Sequence, residues 1–126
     1  MSKKILIIDD DLTFQKTIRE TLESAGYDVV EAHDGIEGLK IVEVEKPNLI
    51  LLDIVMPKLG GIEFLRILQK NQGSSPYPVL ITSNFSGIGK IDEGLELGIR
   101  GYIVKSNESL KTIVNSVELL VGEAGK

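Results

Sequence analysis

The segment Asn48-Leu-Ile-Leu-Leu-Asp53, which follows Pro47, constrains the fold more than any other part of the chain. Successive strand residues face opposite sides of a sheet, so a strand apolar at every position must be covered on both faces. That is the condition of a central strand in a parallel sheet, and parallel neighbours are joined by crossovers, usually helical. The remaining sequence supplies them. Ile5-Leu-Ile-Ile8 predicts a first strand, followed by a helical pattern through Ile18 and Leu22, with Gly26 where a helix C-terminal cap is wanted. Tyr27 to Ala32 predicts a second strand and Gly35 to Glu45 a second helix, stopped by Pro47. Pro57 and Gly60-Gly61 punctuate a loop, and Ile62, Leu65 and Leu68 recur at helical spacing. Gly73-Ser-Ser-Pro76 predicts a turn, Val79-Leu-Ile81 a fourth strand and Gly101-Tyr-Ile-Val104 a fifth. Leu110, Ile113, Val117 and Leu120 stripe a closing helix. Right-handed crossovers then give a doubly wound α/β sandwich.

A fourth helix is expected over roughly Gly87 to Leu97. Gly87, Gly89 and Gly94 each cost about 1 kcal/mol relative to Ala if they lie in a helix interior, so this should be the least stable helix. Two readings stand, a poorly formed surface helix or a mobile element.

With 126 residues, one core is expected, spanning about residues 3–121 of a single domain 1–126. The formal charge of −5 disfavours direct contact with nucleic acid or an anionic membrane, which require a basic face. The absence of Cys excludes disulfides, a thiol nucleophile and thiolate metal ligands. The apolar run Ile5 to Ile8 is too short for a signal core or a membrane span, so a cytoplasmic address is expected. His33 lies in a polar stretch without a ligand-spaced partner and is read as a solvated loop residue.

In open parallel sheets ligands bind beyond the carboxyl ends of the strands. Here the first strand ends in Asp9-Asp10-Asp11, the third in Asp53 and the fourth in Thr82-Ser83, while the fifth runs into Lys105. Converging carboxylates repel by about 4 kcal/mol per close pair at an effective dielectric near 20, so a cation is expected among them. A hard divalent ion such as Mg²⁺ (or Mn²⁺) suits an oxygen-only donor set. One of Asp9 to Asp11 should cap the following helix. Asp53, closing an apolar strand, fits a nucleophile that accepts a phosphoryl group, with Lys105 and the Ser83 hydroxyl contacting its oxygens.

Asp9-Asp10, the run Asp53-Ile-Val-Met-Pro57 with Gly61, the Ser83 hydroxyl, Tyr102 and Lys105 together resemble the receiver domains of two-component response regulators, of the stand-alone chemotaxis-receiver kind, over essentially the whole chain. The resemblance implies a flavodoxin-like sheet of order 2-1-3-4-5 with five helices. It implies Mg²⁺ held by Asp10, Asp53 and the Val55 backbone carbonyl, with Asp9 acting mainly through water, and Asp53 phosphorylated by a sensor histidine kinase or a histidine phosphotransferase. It further implies that Ser83 swings toward the phosphoryl group while Tyr102 turns inward, reshaping the face of the fourth helix, fifth strand and fifth helix for a downstream effector protein. Such a domain is not an enzyme beyond catalysing its own phosphoryl transfer and slow autodephosphorylation. The family's spacing to Lys105 favours Ser83 over Thr82 as the hydroxyl.

Two positions depart from the family pattern. Ser106 follows the lysine where Pro is common, leaving a cis or a trans Lys105–Ser106 bond open, and Asn84 stands where a small residue is usual. Val55 and Phe85 flank the path of attacking water, and because both are apolar a slowly hydrolysing aspartyl phosphate is expected.

Two other functions fit parts of the chain. Asp9-Asp-Asp11-Leu-Thr13 matches the nucleophile motif of haloacid-dehalogenase-type phosphatases, with Asp9 as the nucleophile, but later acidic ligands and a cap are not visible and Asp53 is left without a role. A non-phosphorylated interaction module of the same fold would not need all five site residues. Gly122 to Lys126 is a short polar tail, so the output belongs either to a partner protein or to a segment that this tail would link.

Overall fold

The computed structural model describes residues 3–72, 77–84, 94, 96–105 and 109–122. Five strands, β1 (Lys4–Ile8), β2 (Asp28–Ala32), β3 (Leu49–Asp53), β4 (Val79–Ser83) and β5 (Gly101–Val104), form one sheet in the order β2-β1-β3-β4-β5, with every adjacent pair parallel. The expected strand order is therefore present. Helices α1 (Leu12–Ser24), α2 (Gly35–Glu45) and α3 (Gly61–Gln72) and a closing helix (Leu110–Val121) flank it.

Strand alternation separates the interior into two layers. Ile5, Ile7, Leu49, Leu51, Leu80 and Ile103 pack on one side with Ile18 and Leu22 of α1 and Ile113 and Val117 of the closing helix. Leu6, Ile8, Ile50, Leu52 and Ile81 pack on the other with Val42 of α2 and Phe64, Leu65 and Leu68 of α3. All five residues of β3 are buried, as its uninterrupted apolar run requires.

Local chemistry sets the element ends. Asp11, Asp34 and Ser109 cap α1, α2 and the closing helix, each accepting a backbone N–H bond three residues on. Gly26 follows the C-terminus of α1 at φ 99°, a conformation that suits glycine. Leu110, expected on the stripe of the closing helix, is instead 42% exposed, and only Ile113 and Val117 of that helix are buried. Strand β4 extends past the expected Val79–Ile81 to Ser83, since Thr82 and Ser83 pair with Ile103 and Val104 of β5 despite their polarity.

The Gly73–Pro76 turn and most of the Gly87–Leu97 stretch, including Gly87 and Gly89, lie outside the described residues. Gly94 is helical and buried, and a Cβ there would lie 2.8 Å from Ile81 Cδ1. Its lack of a side chain lets this segment approach β4, which offsets the helix-propensity cost.

Candidate functional site

Three β-strands deliver the acidic and basic groups to one edge. Asp9 follows β1 and is fully buried, Asp53 ends β3 at 4% exposure, and Lys105 follows β5 with 11% of its side chain exposed. Asp10 is exposed. Carboxylate oxygens of Asp9, Asp10 and Asp53 lie within 4.8 Å of one another, and among the described residues no other acidic or histidine group of three converges in this way.

The Asp9-Asp10-Asp11 triplet divides its tasks by geometry. Asp9 Oδ1 accepts the Asp11 N–H at 2.9 Å, which tightens the turn out of β1. Asp11 Oδ1 accepts the Phe14 N–H at 3.1 Å and so caps α1, leaving Asp10 free of capping duty at the rim. Gln15 pins the turn from below: it is buried, and its Nε2 donates to Ile7 O at 3.0 Å and to Ala32 O at 2.9 Å, the latter also receiving the Asp9 N–H at 3.1 Å. Sequence reasoning missed Gln15. Its position three residues before Ile18 and seven before Leu22, on the stripe that faces the sheet, was the available signal.

Lys105 Nζ stands 2.7 Å from Asp9 Oδ2 and 3.7 Å from Asp53 Oδ2. At this distance the ammonium pairs directly with Asp9 Oδ2, and a carboxylate oxygen with two lone pairs keeps acceptor capacity beyond it. Burial pushes the Asp9 carboxyl above its ordinary range, with Lys105 working against that rise. Burial also raises Asp53, to about 7, reinforced by the negative charge of Asp9 and by Asp10 and opposed by Lys105. When all are ionised, three carboxylates and one ammonium leave two uncompensated negative charges. With its all-oxygen donors and excess negative charge, the cluster fits a hard divalent cation.

The hydroxyls at the end of β4 are both buried. Thr82 lies opposite Asp53 in register and Ser83 one residue further toward the rim. Ser83 Oγ is a buried side-chain oxygen that lacks a hydrogen-bond partner. A buried polar atom in that condition is expensive unless a ligand supplies a partner. Ser83 O accepts the Lys105 N–H at 2.7 Å, tying the strand ends that carry the hydroxyl and the ammonium.

Behind Asp53, the loop carrying Val55 folds tightly onto α3. The Gly61 N–H donates to Ile54 O at 2.8 Å, and a Cβ at Gly61 would lie 2.5 Å from Asp53 O and 2.8 Å from Ile54 Cα. Both contacts are backbone, so only glycine fits. Val55 is 49% exposed and Tyr102 51% exposed, both turned to solvent. Asn84 is exposed, and His33 sits at the surface with Nδ1 3.5 Å from Glu37 Oε1, away from the cluster. Phe85 and the Lys105–Ser106 bond fall outside the described residues.

No helix among the described residues is long and apolar enough to cross a membrane. The response regulator receiver domain family profile matches residues 5–118. The chain is 40% identical to the alkaline phosphatase synthesis transcriptional regulatory protein PhoP of Bacillus subtilis, over 94% of this chain and 51% of that protein. It is 33% identical to the response regulator MprA of Mycobacterium ulcerans, over 83% and 44%. The chain thus spans about half the length of the curated relatives it matches. The chemotaxis protein CheY4 of Vibrio cholerae superposes with a TM-score of 0.86 at 27% identity, covering 95% of this chain and 99% of that one. The receiver domain of the Francisella response regulator 1452 gives 0.83 at 32% identity, covering 94% and 96%. With a profile match spanning most of its length and relatives at this identity, the chain belongs to the response regulator receiver domain family of two-component signalling.

Proposed function

We propose that this receiver domain accepts a phosphoryl group on Asp53 from the phosphohistidine of a sensor histidine kinase or histidine phosphotransferase. The observation that carries the reading is the convergence of three carboxylates with an ammonium 2.7 Å from Asp9 and 3.7 Å from Asp53, at the carboxyl edge of a parallel sheet. An Asp53 carboxylate oxygen forms the new bond to phosphorus as the bond from phosphorus to the donor's imidazole nitrogen breaks. Lys105 moves to the equatorial phosphoryl oxygens, and Ser83 Oγ donates to one of them, filling the bond it lacks. Asp9, Asp10, Asp53 and the Val55 carbonyl would hold Mg²⁺ or Mn²⁺, which neutralises phosphoryl charge when bound.

Phosphoryl contacts at Ser83 then bias a two-state equilibrium in which Tyr102, half-exposed here, turns inward. A downstream effector protein reads the altered face of the fourth helix, β5 and the closing helix. The chain works as a single receiver core over about residues 3–121, in the cytoplasm, without contacting nucleic acid or membrane itself, and beyond its own transfer and slow autodephosphorylation it is not an enzyme.

Incubation with a small phosphodonor such as acetyl phosphate, with and without Mg²⁺, tests the assignment. A metal-dependent acyl phosphate mapped to Asp53 and abolished by Asp53→Asn is the expected result. Label on Asp9 would support a haloacid-dehalogenase-type phosphatase instead. No response to beryllofluoride, an acyl-phosphate mimic, with or without metal would indicate an inert interaction module.

A further inference from the structure

We propose that Phe14 is a positioning residue for Lys105, its ring holding the ammonium at the carboxylate cluster; the inference rests on Asp53 being the phosphoacceptor. Lys105 Nζ lies 4.6 Å from the centroid of the Phe14 ring, within the range at which a cation is attracted to an aromatic face. The contact is well built. Phe14 is the third residue of α1, its backbone is fixed by the N–H bond to Asp11 Oδ1, and its side chain packs against the core layer that contains Ile7, Ile18 and Ile103. Lys105 ends a long stem with four rotatable carbons, so without a third wall two acidic oxygens at 2.7 and 3.7 Å would leave it several ways to lie.

The ring matters for a reason that charge alone does not supply. With its three acids ionised, the cluster carries two uncompensated negative charges, and a divalent cation would neutralise them. Once that happens, the carboxylates lose much of their hold on the ammonium, and a neighbouring dication repels it. The attraction to the Phe14 face depends on the ring quadrupole and survives neutralisation of the acids. Phe14 therefore keeps Lys105 beside Asp53 in the state in which phosphoryl transfer occurs, and the ammonium starts close to where the phosphoryl oxygens arrive.

Two measurements test this. In the metal-free wild type, the methylene protons next to Lys105 Nζ should resonate upfield of the other lysines by proton NMR, because they lie over an aromatic face, and Phe14→Leu should abolish the displacement. Unshifted Lys105 resonances in the folded wild type would overturn the contact. With Mg²⁺ present, Phe14→Leu should weaken beryllofluoride binding by about three- to tenfold, while Phe14→Tyr, which keeps the ring, should bind like wild type. In a Lys105→Met background the same Phe14→Leu change should have no further effect, and an equal loss in both backgrounds would reduce Phe14 to a packing residue. A wild type that binds no beryllofluoride would overturn the phosphoacceptor reading itself, an outcome distinct from a normal wild type that is indifferent to Phe14.

Discussion

The ammonium of Lys105 is 1.0 Å nearer to Asp9 than to Asp53, at 2.7 against 3.7 Å, so its first partner is a proposed metal ligand and its second the proposed phosphoacceptor. Lys105→Met should therefore act on both. Acetyl phosphate labelling is expected to slow by about 10²-fold, the usual loss when a positioned charge-stabilising donor is removed. A time course of acyl phosphate formation checks this, and a near-normal rate would remove Lys105 from the chemistry.

The raised Asp53 carboxyl has a consequence for stability. Its folded value of about 7 lies above the ordinary 3.8, so between those pH values the native state retains a proton that the unfolded chain has lost. Stability is then greatest at the acid end of that window and falls as pH rises toward 7, with Asp9 shifting in the same direction. Thermal melts in EDTA from pH 4.5 to 7.5, corrected with an Asp53→Asn control, should show this decline. Added Mg²⁺ should stabilise more at pH 7.5 than at pH 5, and a metal effect independent of pH would contradict the arrangement.

Ser83 and Thr82 are both buried, yet it is Ser83 Oγ that lacks a partner. Removing an unsatisfied hydroxyl costs little in the resting protein, so Ser83→Ala is expected to melt within about 0.5 kcal/mol of wild type. Beryllofluoride binding should nevertheless weaken and Tyr102 should fail to turn inward, as followed by tyrosine fluorescence or NMR. Thr82→Val should leave the mimic bound. The reverse pattern would transfer the role to Thr82, which faces Asp53 in register.

Replacing Gln15 by Leu keeps an apolar helix face but strips two hydrogen bonds from the carbonyls of Ile7 and Ala32. The loss should destabilise the domain by about 1–3 kcal/mol in urea titrations and loosen the turn that places Asp9, lowering Mg²⁺ affinity. A change confined to stability, with metal affinity intact, would make Gln15 a core residue only.

Val55 turns an apolar, half-exposed side chain toward solvent two residues past Asp53. It cannot orient an attacking water by hydrogen bonding, so the acyl phosphate is expected to persist and Val55→Asn to shorten its lifetime. Phosphoryl loss followed in both proteins is the measurement, and a rapid wild type unchanged by the substitution contradicts it.

Much of the architecture is visible in the order of residues because its determinants are local. The apolar run of β3 demands two covering layers, and Gly26, Gly35 and Pro47 punctuate helices where the structure ends or begins them. The site residues at strand ends are legible for the same reason, aided by family resemblance. What stayed hidden depends on three-dimensional partners. Polar Thr82 and Ser83 concealed the last residues of β4, which pair with β5. The division of labour among Asp9, Asp10 and Asp11 turns on the dihedral angles of a single turn, and Gln15 looked like any polar helical residue until two strand carbonyls were found within reach. Periodicity put Leu110 on the helix's apolar stripe, but period alone cannot say which stripe positions meet the sheet.

The backbone bond from Lys105 N to Ser83 O, 2.7 Å long, makes a yoke of two side chains that sequence sets far apart. A displacement of the β4 terminus drags the root of the lysine with it, and a pull on the lysine is felt at the serine. The backbone roots of hydroxyl and ammonium are thus tied to each other, with Tyr102 on β5, three residues before Lys105.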